Sequence, residues 1–279
     1  MCAKLNKSAN LVTRACSGLI FAGVVVGSIL MGAYPCAVVM LTVVVWSMLE
    51  FYDIVIRDRV RVSKLLGALS GGLLFVAGFL YVQNIVSYRV FLFSIPLIIL
   101  LIISHLYSKA HHSFRAITYN LTGVMYIALP FTMLNGLMFP YSDGIYTYEL
   151  LLGFFILLWS NDTFAYLTGI YFGRNRLFER ISPKKSWEGF FGGLVCTVLL
   201  SLLIAKWLQI LPFYHWMAVA ALIVVFGVYG DLVESLLKRN LKIKDSGRFL
   251  PGHGGILDRF DSVLLAAPMV YFYLKMFVL

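Results

Sequence analysis

GFFGGLVCTVLLSLLIAKWLQIL, residues 189–211, carries one charged side chain, Lys206, close to its end. A helix rises about 1.5 Å per residue, so this stretch is long enough to cross the roughly 30 Å hydrocarbon layer of a bilayer. The rest of the chain is similar in character. Of its 279 residues 61% are hydrophobic and 13% charged, with a mean hydropathy of +0.87. A soluble core could not hide that much apolar surface. Within lipid a helix satisfies its own backbone hydrogen bonds, so the fold class is expected to be all-α, a polytopic integral membrane protein.

Working outward from residues 189–211, further spans are expected at 17–34, 36–52, 65–86, 90–107, 117–139, 149–172, 213–230 and 256–278, making about nine. Short basic loops stay on the cytoplasmic side. With the N-terminus cytoplasmic and the C-terminus outside, every Lys and Arg except Arg89, Lys206 and Lys275 falls in an inner segment. The opening MCAKLNKSANLVTR lacks the small-residue site of a cleavable signal, so the first span is expected to be retained. No linker or shift of composition divides the chain, and residues 1–279 read as one membrane domain.

Several features have plain explanations. The net charge of +10 belongs largely to inner loops lying against anionic lipid. No soluble basic face or aromatic platform accompanies it, so no nucleic acid is expected as a partner. Cys2, Cys16, Cys36 and Cys196 have neither metal-ligand nor pairing spacing and read as small packing residues. Gly23 with Gly27, Gly67 with Gly71, and Gly189 with Gly193 read as sites of close helix approach. His105, His111 and His112 read as solvated or headgroup-facing.

The informative residues are those a bilayer should exclude. Asp162, in LLWSNDTFAYLTG, lies near the middle of a span, where an acid usually faces a cavity or a partner. Asp231, Glu234, Ser235 and Lys238 share one helical face by three- and four-residue spacing, and Asp258 and Asp261 share another at the start of the last span. Carboxylates at a water-accessible membrane boundary are hard ligands suited to Mg²⁺, which binds one or two of them together with substrate phosphates. Lys184, Lys185, Lys238, Arg239 and Lys244 can meet the remaining phosphate charge. In PGHGG, residues 251–255, glycines permit a tight turn whose N–H groups approach a phosphate. Acids for a metal and bases for phosphates make a phosphoryl- or nucleotidyl-transfer site.

SLLKRNLKIKDSGRFLPGHGGILDRFD, residues 235–261, resembles the signature of the phosphatidate cytidylyltransferase family, the CDP-diacylglycerol synthases. NDTFAYLTGIYFG, ISPKKSWEGFFGG and GDLVES resemble other blocks of that family, so the likeness is close over the C-terminal half. The resemblance implies transfer of CMP from CTP to phosphatidic acid with Mg²⁺ as cofactor and CTP and phosphatidic acid as substrates, while the charge rule puts the active site on the cytoplasmic face and a compact chain with no targeting extension suits a bacterial inner membrane. The resemblance divides the chain into an N-terminal helical region, 1–116, and a catalytic region, 117–279. Matching motif positions implies Asp231 and Asp258 as metal ligands, Asp261 next, and Asp162 as a further group. Lys238 and Arg239 would grip phosphates. Ser182, Lys184, Lys185 and Ser186 would close over CTP or the lipid headgroup, and Ser235, Lys244, Asp245, Gly252, His253, Gly254 and Gly255 complete the substrate site. Two roles stay open for His253, donation to a phosphate or shaping of the turn, and a homodimer is left open.

Two other readings compete. A CTP-using polyprenol or dolichol kinase would release CDP rather than pyrophosphate, and the full signature argues against it. A secondary transporter would use Asp162 as a coupling carboxylate, but it leaves the PGHGG and DRFD cluster without a role.

Overall fold

The computed structural model describes residues 2–56, 61–106, 113–141, 143–247 and 254–279, with side chains described at 17–56, 63–104, 115–141, 143–247 and 254–279. Gly252 and His253 lie outside the described residues, as do His111, His112 and the side chain of His105. The chain is built from α1 (Cys2–Met31), α2 (Ala33–Val55), α3 (Arg61–Val82), a 3₁₀ segment (Tyr88–Phe93), α4 (Ser94–Leu106), α5 (Ser113–Gly123), a π turn (Val124–Ala128) and α6 (Leu129–Met138). It continues through α7 (Glu149–Phe172), strands β1 (Arg176–Phe178) and β2 (Ser182–Ser186), α8 (Trp187–Leu208), α9 (Phe213–Asn240) and α10 (Leu257–Phe277).

This is an all-α polytopic membrane protein. Among the described residues seven helical stretches are long and apolar enough to cross a bilayer: α2, α3 from Ser63, α5 through α6 from Arg115, α7, α8, α9 and α10. Two shorter apolar helices, Ser17–Met31 and Tyr88–Ser104, fall where the first and fourth spans are expected. The helix through Arg115–Met138 passes the π turn just before Pro130. Proline has no N–H to give the preceding turn, and a π turn is one way to absorb that loss without ending the helix.

The chain divides into two compact units. The first comprises residues 1–81, 85–129 and 243–260. Its core gathers around α2, where Cys36, Met40, Val44, Met48 and Tyr52 are fully buried. The Tyr52 hydroxyl donates to the Asn120 carbonyl at 3.0 Å, and the Asn120 amide donates to Ser63 Oγ. A Cβ on Gly67 would lie 2.7 Å from the Tyr52 ring, and one on Gly123 2.5 Å from its hydroxyl, so glycine is what lets α3 and α5 close on this side chain. Gly71 likewise meets the Met48 sulfur. Gly23 and Gly27 differ from the packing expectation: no described atom lies within 4 Å of a Cβ added at either.

The second unit comprises residues 82–84, 130–242 and 261–279. Here α7 and α8 pack closely: a Cβ on Gly189 would lie 2.8 Å from the Ala165 carbonyl oxygen, and one on Gly193 2.8 Å from Asn161 Oδ1. Opposite that seam, Phe191, Val195, Leu199, Leu203 and Trp207 form an exposed stripe at four-residue spacing, the face a bilayer would solvate. Between these helices β1 and β2 pair antiparallel, joining Arg176 to Ser186 and Phe178 to Ser182. The hairpin adds a small sheet to a helical fold. Its base is closed by Glu188, which accepts from the N–H groups of Arg174 and Asn175 and from the Asn175 amide at 2.8 Å.

Candidate active site

The second unit carries a cluster of acids. Along α9, Asp231, Glu234, Ser235 and Lys238 follow one another at helical spacing, and Asp261 stands in α10. Carboxylate oxygens of Asp231, Glu234 and Asp261 all lie within 4.8 Å of one another. The neighbouring glycine sets this approach: a Cβ on Gly230 would come 2.5 Å from the Asp261 carbonyl oxygen and 3.2 Å from Ser262 Cα, so no side chain fits there unless α9 and α10 separate. Asp162, exposed in the middle of α7, is close enough for its charge to act on Asp261.

Three carboxylates at this distance repel one another unless their charge is met. Lys185, from β2, forms an ion pair with Asp231, and Lys238, one turn along α9, forms one with Glu234. Glu234 is completely buried and Lys238 nearly so. Ser235 Oγ donates to Asp231 at 3.2 Å, while Ser262 donates its backbone N–H to Asp261 at 2.6 Å and its hydroxyl at 3.2 Å. Two lysines against three acids leave one negative charge, and Asp162 adds another nearby. Oxygens sharing one Mg²⁺ lie about 3 to 4 Å apart, given bonds of about 2.1 Å. The donors are hard, their spacing needs only a small contraction, and the excess charge is negative, so the residues fit a hard divalent cation.

Other candidate residues surround this cluster or the signature segment. Arg239 donates from Nε to the Ile181 carbonyl at 3.4 Å, which ties the segment before β2 to the end of α9. Ser186 is buried and caps α8 by accepting from the Gly189 N–H at 3.1 Å. Ser182 opens β2 and pairs with Phe178, and Lys184 is exposed on the same strand. In the first unit, Asp258 accepts from the Ser246 N–H at 3.0 Å and the Gly255 N–H at 2.8 Å. The Gly255 amide, expected to approach a phosphate, is thus directed at a carboxylate of its own chain. Gly254 has a φ of +84°, which side chains rarely adopt, and a Cβ there would lie 2.5 Å from Asp258 Oδ2. Lys244 and Asp245 are exposed.

Among the described residues, a group of acids close enough to share a cation joins Asp231 and Asp261 with Glu234, which spacing set on the Asp231 face but not among the metal ligands. Its signal was available: an acid one turn from Asp231 with a lysine four residues on.

The profile of the Cytidylyltransferase family matches residues 12–277, nearly the whole chain. The chain belongs to the cytidylyltransferase family. Relatives of this chain include the phosphatidate cytidylyltransferase of Bacillus subtilis, 46% identical over 123 residues, which are 44% of this chain and 46% of the relative. The phosphatidate cytidylyltransferase of Staphylococcus epidermidis is 40% identical over 165 residues, 58% of this chain and 61% of the relative. The chain thus spans about half to three-fifths of the length of the curated relatives it matches.

Proposed function

We propose that this cytidylyltransferase transfers CMP from CTP to phosphatidic acid, forming CDP-diacylglycerol and pyrophosphate, at the cytoplasmic face of a bacterial inner membrane. The observation that carries this reading is the group of Asp231, Glu234 and Asp261, flanked by Lys185 and Lys238, on helices long and apolar enough to cross a bilayer. Family membership and the names of the relatives support it. Mg²⁺, held by Asp231, Glu234 and Asp261, would supply positive charge against the phosphates.

A phosphate oxygen of the lipid attacks the α-phosphorus of CTP in line. The bond from that phosphorus to the oxygen bridging to the β-phosphate breaks, and its electron pair leaves with pyrophosphate. The attacking phosphate is already an anion at neutral pH, so no side chain has to take its proton. What the chain contributes is orientation and charge neutralisation. Lys185 and Lys238, already beside the acids, are positioned to meet phosphate oxygens, and Arg239 and Lys184 add basic charge. The inside N-terminus and outside C-terminus that the basic loops favour put both signature-bearing loops on the side where CTP is found.

The purified protein supplied with CTP, Mg²⁺ and phosphatidic acid in mixed micelles is expected to yield CDP-lipid and pyrophosphate in equal amounts. Neither product above a no-enzyme control would overturn the reading. CDP without pyrophosphate would replace it with γ-phosphoryl transfer.

A further inference from the structure

Glu50 is a buried acid near the end of α2 that the reaction above does not use. Among the described residues, its hydrogen-bond partners come from a segment some two hundred residues later. Glu50 Oε2 accepts from the Ser246 hydroxyl at 3.2 Å and from the Leu257 N–H at 3.0 Å, and Oε1 accepts from the Ile256 N–H at 3.1 Å. The backbone is shaped around it. A Cβ on Gly247 would lie 2.5 Å from Oε1, and a Cβ on Gly255 would overlap Oε2 and come 2.8 Å from the Gly247 nitrogen. Ile256 and Leu257 are where α10 begins, and the first N–H groups of a helix have no partner within it. A carboxylate there satisfies two of them and interacts favourably with the helix dipole.

We infer that Glu50 is a positioning residue, whose carboxylate joins Ser246 to Ile256–Leu257 within the signature segment, and so fixes the start of α10 and the placement of Asp258. Asp258 makes a parallel closure, accepting from Ser246 and Gly255. Glu50 and Asp258 thus share the same two strands of chain, and Glu50 acts on the reaction only through them. The inference rests on the proposed function for its activity readout alone.

The test compares Glu50→Gln, Glu50→Asp and Ser246→Ala with the unaltered protein in detergent, by CDP-lipid formation and by hydrogen exchange of the amides from Gly255 to Phe260. Gln keeps the shape of Glu but turns an NH₂ toward backbone donors. Glu50→Gln is expected to lower kcat at least tenfold with KM for CTP changed less than about twofold, and to speed exchange at Ile256 and Leu257 at least tenfold. Ser246→Ala, which removes a single hydrogen bond and remains informative if the Glu50 variants do not fold, is expected to move both readouts in the same direction by less. Glu50→Asp should recover part of kcat. Unchanged exchange at Ile256 and Leu257 in Glu50→Gln, or a change in KM alone, would overturn the inference. If the unaltered protein makes no CDP-lipid, the functional reading fails, while the exchange comparison still decides whether Glu50 holds the segment.

Discussion

Of the three clustered acids Glu234 alone is fully enclosed, and Lys238, one turn along the same helix, matches its charge. Removing one partner of a buried pair leaves an uncompensated charge, whereas replacing both can be nearly neutral. Glu234→Gln is therefore expected to destabilise the protein by about 3 kcal/mol, and the double variant with Lys238→Met by clearly less. Thermal unfolding in detergent checks this: a double variant as unstable as the sum of the singles would mean that the pair is not coupled. Asp258→Asn is expected to abolish CDP-lipid formation and still yield folded, extractable protein, because an amide oxygen can go on accepting from Ser246 and Gly255. A variant keeping most of its turnover would remove Asp258 from the reaction. At this scale the sequence was legible where polar residues were wrong for their surroundings: Asp162, Asp231 and Asp261 stand out against apolar runs. Glu50 stands in such a run too, but its meaning comes from partners up to 207 positions away, which no local spacing reveals.

Between α9 and α10 the contact depends on residues without side chains. A methyl group on Gly230 meets the backbone of α10, which cannot turn aside, whereas one on Gly227 comes 3.3 Å from Leu158 Cδ1, the tip of a flexible side chain. Gly230→Ala is accordingly expected to lower CDP-lipid formation more than tenfold and Gly227→Ala less than threefold, measured at equal amounts of folded protein. Similar losses in both would mean that helix spacing at Asp261 does not control the site. The helices themselves were readable from apolar length, since the bilayer imposes one length on every span. The hairpin was not readable: ISPKKS offers no alternation of apolar residues, and what defines it is Glu188 and the Ser186 cap, contacts that form only once α8 is in place.

For the molecule as a whole, charge asymmetry predicts orientation, and a reporter fused after Leu279 is expected on the outer side of the membrane. A cytoplasmic signal would change the number of crossings by one and force the basic loops to be reassigned. The seven long and two short apolar helices among the described residues bear on that count. Composition could establish a helical membrane protein, because 61% hydrophobic residues leave few alternatives. The closing of three acids upon one another depends on how helices pack, and packing is set by glycines whose partners lie far along the chain.

The ion pair between Lys185 and Asp231 has a thermodynamic consequence. A phosphate that draws Lys185 away uncovers the charge of Asp231, and the acids then attract a cation more strongly. Linkage makes the converse hold to the same degree: charge neutralised at Asp231 frees Lys185 for an anion. On the proposed reading Lys185 thus acts as a shared counterweight, making occupancy by anion and by cation mutually reinforcing. Mg²⁺ affinity measured by calorimetry is expected to rise when orthophosphate is present and to lose that dependence in Lys185→Met; an equal rise in both proteins would mean the cooperativity resides elsewhere.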